Sequence, residues 1–177
     1  GSYFTGSGSG TGNTGNYCTG VGINALHTSN SGANNAAFGT NALYWNTSGS
    51  DNTAIGISAL SGNTTGFYNV AVGTSTLSAN TYGSRNTAIG YRALLSNTTG
   101  PNNTAVGTNA LEANLSGSLN TAIGNSSLND NTTGYENTAL GQSSLSYNTT
   151  GYYNTAMGTY ALALNITGYN NTSTGQR

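Results

Sequence analysis

Apolar and polar residues recur along this chain on one period, 17 residues. Residues 52–68 read NTAIGISALSGNTTGFY, residues 69–85 NVAVGTSTLSANTYGSR and residues 86–102 NTAIGYRALLSNTTGPN, and the blocks starting at Asn103, Asn120, Asn137 and Asn154 follow without insertion or deletion. Within a block, position 1 is Asn, position 4 is large and apolar, position 5 is Gly, position 8 is small, position 9 is Leu, position 12 is Asn and position 15 is Gly. Position 4 runs Val21, Phe38, Ile55, Val72, Ile89, Val106, Ile123, Leu140, Met157. The pattern predicts two short strands per block. The first lies on NTAIG, a tight turn follows near the Gly at position 5, the second strand carries the Ala-Leu pair, and the NTTG stretch forms a longer return. Because neighbouring strand residues face opposite ways, placing position 4 inside sends the Ala at position 3 outside. The same argument at Leu of position 9 sends the small residue of position 8 outside. The expected core is therefore Ile55, Leu60, Val72, Leu77, Ile89, Leu94, Val106, Leu111, Ile123 and Leu128.

Seventeen residues are too few for a helix pair, which needs roughly 33 or more. The period predicts an all-β fold, a parallel β-solenoid (β-roll) with one 17-residue repeat per coil, ten coils plus a partial eleventh. Residues 1–17 read as a degenerate N-terminal coil or assembly segment, with glycines 6, 8, 10 and 12 as a flexible, poorly stacked start, and residues 18–177 as the repetitive solenoid. Layers about 4.8 Å apart turn the position-1 column into an amide ladder of Asn52, Asn69, Asn86, Asn103, Asn120, Asn137 and Asn154, as in cross-β stacks. The two small-residue columns expected on the outside favour lateral packing of copies. The ten positions missing from the eleventh coil match the length of residues 1–10, which suggests head-to-tail complementation.

Composition narrows the function. Only 4% of residues are charged and the net charge is -1, so nothing marks a nucleic-acid or anionic-membrane surface. Apolar runs are too short to enter a bilayer. No signal-peptide pattern opens the chain, which fits a mature chain or a piece of a longer one. The charged residues Asp51, Arg85, Arg92, Glu112, Asp130, Glu136 and Arg177 fall in different coils, except that Asp130 and Glu136 loosely share one; they stand mostly at unconstrained positions and read as solvated surface. Catalysis needs convergent ionisable groups, so no enzyme, catalytic residue, metal or cofactor is expected. His27 has no nearby acid or thiol in its column, and Cys18, standing where later coils have Asn, reads as a small turn residue.

Asn46, Asn63, Asn97, Asn114, Asn131, Asn148 and Asn165 are each followed two residues later by Ser or Thr, the acceptor pattern for N-glycosylation. They are candidate glycan sites on a rod with few charges, and equally candidate turn residues. Phe67, Tyr68, Tyr135, Tyr152, Tyr153 and Tyr169 cluster at positions 16 and 17, where their rings face a sugar or a neighbouring chain, or cover the backbone.

The N-T-A-[IV]-G-x-x-A-L motif resembles the head repeats of trimeric autotransporter adhesins (YadA-like), with their Asn-Ser-Val-Ala-Ile-Gly pattern. It is closer still to the NTAxGxxAL/NTTG repeats of phage tail fibres and long bacterial surface proteins. The resemblance runs from Cys18 onward. It implies a left-handed parallel β-roll, packed as three chains in the adhesin heads, on a cell or virion surface. The expected function is a structural segment or subunit of an extracellular fibre that self-associates laterally or head to tail. The alternative is an adhesin or carbohydrate-binding solenoid. An ice-binding one fits less well: Thr recurs at position 2, but no Thr-x-Thr strand does.

Overall fold

The computed structural model describes residues 1–28 and 30–176; Arg177 lies outside them. The chain is a β-solenoid of about ten coils. Each coil places one three-residue strand in a single parallel sheet, in chain order from β1 to β11. The strands are β1 (Tyr3–Thr5), β2 (Thr19–Val21), β3 (Ala36–Phe38), β4 (Thr53–Ile55), β5 (Val70–Val72), β6 (Thr87–Ile89), β7 (Thr104–Val106), β8 (Thr121–Ile123), β9 (Thr138–Leu140), β10 (Thr155–Met157) and β11 (Thr172–Thr174). From β2 onward each residue pairs with its equivalent 17 positions away, as in Ala88↔Ala105. An inserted residue would shift every later side chain out of its column.

Among the described residues the second expected strand is absent. In its place the Ala-Leu segment curls back. Leu at position 9 has φ of 49–52° in every coil from Leu26 to Leu162, and the residue at position 7 is also left-handed, as at Ser58 (φ 56) and Arg92 (φ 57). Such a conformation costs a non-glycine residue about 1 kcal/mol or more. The curl keeps the inter-coil bonds: Ser58 N–H donates to Thr40 C=O (2.9 Å) and Leu60 N–H to Thr76 C=O (2.9 Å). It also breaks the strand alternation, so positions 8 and 9 both face in. Ala59 and Leu60, Ala93 and Leu94, and Ala110 and Leu111 are all fully buried.

The strand has the opposite parity to the one expected. Ala54, Ala71, Ala88, Ala105 and Ala122 are buried, whereas Ile55, Ile89 and Ile123 are 41–42% exposed and Val72 and Val106 are half-buried on the outer face. The core is thus Leu60, Leu77, Leu94, Leu111 and Leu128 with two Ala-type columns; Ile55, Val72, Ile89, Val106 and Ile123 are not in it. The physical reason is at position 1. Asn86 and its equivalents are buried, and positions 1 and 3 share a face of the strand, so an inward Asn forces Ala inward and sends the residue at position 4 out. The small residues expected to line the outside are therefore the inner lining.

The first coil is ordered, with its own volume rule. Its register is one residue short: Phe4 pairs with Gly20, 16 positions away. Gly6, Gly8 and Gly10 take the positive-φ places that Gly, a polar residue and Leu fill in later coils. Gly10 leaves the Leu space empty, and the Phe4 ring occupies it; a Cβ on Gly10 or on Gly20 would collide with that ring. Residues 1–10 are thus built into the rod and are not a free arm for head-to-tail complementation.

The inward Leu and outward Ile give a direct test in urea unfolding followed by circular dichroism. Leu111→Ala should lose about 2–5 kcal/mol, the range for a buried Leu, and Ile89→Ala less than about 1 kcal/mol. Equal losses would contradict this parity.

Candidate functional site

Two amide ladders run the length of the rod. At position 1, Asn69 Nδ2 donates to Asn52 Oδ1 (3.1 Å) and to Gly83 C=O (2.9 Å), and the Asn69 backbone N–H also donates to Asn52 Oδ1 (3.0 Å). The same set links Asn52, Asn69, Asn86, Asn103, Asn120, Asn137 and Asn154, as expected of that ladder. At position 12, Asn80 Nδ2 donates to Asn63 Oδ1 (2.7 Å) and to Gly83 C=O (2.9 Å). The position-15 carbonyl therefore accepts from both ladders at once. That junction leaves no room for a side chain: a Cβ on Gly83 would fall on Asn80 Oδ1.

This second ladder corrects the glycosylation reading. Asn46, Asn63, Asn97, Asn114, Asn131 and Asn148 are buried, and Asn165 is half-buried. In each, the Nδ2 that a glycan would need donates to the preceding Asn and to a Gly carbonyl, as Asn97 does to Asn80 (2.9 Å) and Gly100 (3.0 Å). The folded rod gives a glycosylating enzyme no access to these atoms. Asn30 serves the ladder one residue later than the count gives, with Asn46 donating to its Oδ1 (2.7 Å) and its own Nδ2 reaching Gly32 C=O (3.1 Å). Cys18 substitutes for a ladder Asn: buried, its thiol donates to Gly32 C=O at 3.3 Å. Its burial takes it away from intermolecular disulfide chemistry.

The Thr side chains of position 13 form an outer row. Thr64 Oγ1 donates to Thr81 C=O (2.9 Å), Thr81 to Thr98 C=O (3.0 Å) and Thr98 to Leu115 C=O (2.9 Å). Beside them Tyr135, Tyr152 and Tyr169 stack with centroids 4.9 and 5.0 Å apart and planes within 3°. Both faces of Tyr152 are thereby covered by other rings, and Tyr153 meets Tyr135 and Tyr152 edge-on. Phe67 packs edge-on to Tyr68 and lies under the Arg85 guanidinium at 5.1 Å. Arg92 and Glu112, expected to be separate solvated charges, form an ion pair across neighbouring coils (2.8 Å). Among the described residues no group of three His, Cys, Asp or Glu is placed to hold a metal, and no helix is long and apolar enough to cross a membrane. Positions 2 and 4 of the strands lie on the open face of the sheet, as in the half-buried Thr53 and exposed Ile55 on either side of buried Ala54.

No family model matches this chain, and neither a curated protein nor a solved structure matches it.

Replacing Asn103 by Ala strands the Asn120 backbone N–H and one Nδ2 proton, both bonded to Asn103 Oδ1 at 3.0 and 3.3 Å. At about 1–3 kcal/mol for each unsatisfied buried group, the loss in urea unfolding should be about 3 kcal/mol or more. Thr98→Val, at the exposed row, should lose less than about 1 kcal/mol. A second measurement concerns Tyr153, whose pKa is raised above the ordinary 10.0, first by the Glu136 carboxylate. The folded chain holds that proton more tightly, so the group's contribution to stability is present below pH 10.0 and is lost as pH rises through the raised value. Glu136→Gln should move part of the tyrosinate absorbance to lower pH in an alkaline difference titration, and an unchanged titration would remove the carboxylate as the cause.

Proposed function

We propose that this rod is a structural segment of an extracellular fibre, on a cell or virion surface, and that it associates laterally with copies of itself through the open face of its sheet. The carrying observation is the outward position-4 column, Val21, Phe38, Ile55, Val72, Ile89, Val106, Ile123, Leu140 and Met157, apolar in nine successive coils. No Asp, Glu, Lys or Arg stands at position 2 or 4 from Thr19 to Thr174. An apolar stripe this long is an interaction surface. The partner that fits best is a second copy, because it repeats at the same rise of about 4.8 Å and meshes at every rung. Eleven strands of three residues give a face roughly 50 Å by 10 Å. A pair of copies would bury about 1,000 Å² in all, the lower limit for a specific interface. Association is then concentration-dependent. The resemblance to fibre and adhesin-head repeats supports the same reading, as does the scarcity of ionisable groups, which offers no catalytic constellation.

Sedimentation velocity and negative-stain imaging test this. The chain should form dimers or larger bundles as concentration rises. Ile55→Asp, Ile89→Asp and Ile123→Asp together should return it to monomer with the circular dichroism spectrum unchanged. A wild-type chain that stays monomeric at the highest attainable concentration defeats the lateral contact. Because the outward Thr column, including Thr87, Thr104 and Thr121, lies beside the apolar one, thermal hysteresis in such a monomer would reassign the face to ice.

A further inference from the structure

Outside that sheet face, one corner of the rod breaks the repeat. At position 10 most coils carry a small or polar residue and one carries Leu95, but the third coil carries Tyr44, followed at position 11 by Trp45. His27, one coil earlier in the same column, stacks under Tyr44 with centroids 5.0 Å apart and planes within 16°. His27 Nδ1 lies 3.0 Å from Gly8 C=O. A carbonyl only accepts, so that nitrogen carries the proton and the imidazole is pinned in place. Trp45 stands edge-on to Tyr44, 4.7 Å away at 78°, and is 56% exposed. In the fourth coil the same corner carries Ser58, Ser61 and Gly62. A two-ring step is thus followed by small residues, and the result is a notch.

This notch is a recess of about 350 Å³ lined by Tyr44, Trp45, Asn24, Asn41, Ser58 and Ser61, within the roughly 300–1,000 Å³ of small-molecule sites. One face of Tyr44 is covered by His27, and Tyr44 and Trp45 line the recess together. Asn24 Nδ2 donates to Asn41 Oδ1 (3.3 Å), and among the described residues the Asn41 Nδ2 group has no hydrogen-bond acceptor, so its protons are open to a ligand. The two serines add hydroxyls that donate and accept. None of the six residues is Asp, Glu, His, Lys or Arg. A supported aromatic face, a second ring as a wall, and carboxamides and hydroxyls without charge are the chemistry that binds a sugar: the ring face takes its C–H side, and the polar groups take its hydroxyls. Two other aromatic groups lack this combination. Tyr152 has no free face, and the groove of Tyr147, Leu164 and Ile166 is apolar with Asp130 at its edge.

We infer that the Tyr44–Trp45 notch is a binding site for an uncharged saccharide. Trp45 is the only Trp of the chain, so intrinsic fluorescence reports on this site alone. The intact chain is titrated with cellotetraose, chitotetraose and mannotetraose, with tetragalacturonate as the charged comparison. At least one neutral oligosaccharide should shift the Trp45 emission and shield it from acrylamide. Tyr44→Ala should weaken that binding about ten-fold or more, equivalent to about 1.4 kcal/mol, while Tyr44→Phe retains it. Ser61→Leu, which fills the notch with a side chain the same column already holds at Leu95, should abolish binding and leave the fold intact, so the test stands even if Tyr44→Ala does not fold. Emission unmoved by all three neutral oligosaccharides, a response that survives Ser61→Leu, or tighter binding of tetragalacturonate would each overturn the inference.

Discussion

The inward Asn of position 1 is the constraint on which the rest of this rod depends. Its carboxamide meets four partners: the preceding Asn side chain, a Gly carbonyl of its own coil, and the backbone N–H and amide of the following Asn. An unmet buried amide costs about as much as several good contacts return, so this side chain cannot swing outward in one coil and stay in for the next. Strand parity follows from it. With Asn86 in, Ala88 is in and Ile89 is out, and the same holds in each coil from Asn35 to Asn154. The ladders also have a direction, since each amide donates to the coil before it and accepts from the coil after it.

An interior organised this way is narrow. It holds one large apolar side chain per coil, the Leu of position 9, packed against Ala columns and flanked by the two ladders. Even its occasional hydroxyls are satisfied: Thr76 Oγ1 donates to Gly90 C=O (2.8 Å), and Ser127 and Ser144 donate to Gly124 and Gly141 C=O (3.0 and 2.9 Å). Two Gly columns carry the tight approaches. At position 5, from Gly22 to Gly158, a positive φ of 125–136° and the next coil's Gly carbonyl both exclude a side chain. At position 15 the exclusion is steric alone, because both ladders converge there. Where the Leu is lost, at Gly10, a compensating ring at Phe4 and a missing methyl at Gly20 restore the packing. Close packing makes such volume changes interdependent.

The outer columns carry no such obligations. Position 4 ranges from Val to Phe, position 6 from Thr to Tyr91, and position 10 from Ser to Glu112 and Tyr44. Interaction surfaces are therefore written on the outside without disturbing the ladders within. The sheet face offers the same chemistry at every rung, which suits an equally periodic partner. The notch at Tyr44 and Trp45 occurs once, which suits a discrete ligand.

Much of this architecture was legible from residue order alone. A period of 17 without slippage specifies stacked coils, and an unbroken Asn column specifies a ladder. Strand parity was legible too, in a signal that hydrophobicity masks. Position 3 accepts only Gly, Ala or Ser from Gly20 onward, whereas position 4 accepts Val, Ile, Leu, Met and Phe. A column tolerant of volume lies outside, and an intolerant one lies inside. Three things were decided only in three dimensions. The left-handed Leu that turns positions 8 and 9 inward together has no sequence signature, because Leu rarely adopts that conformation. The burial of the position-12 amides follows from how the return folds over the strand. The pairing of Arg92 with Glu112 and the opening of the notch depend on which residues of successive coils share a corner. Sequence fixes what recurs, because a stack penalises any residue out of register; the folded coil fixes which way each recurring side chain points, because that depends on partners in the neighbouring coils.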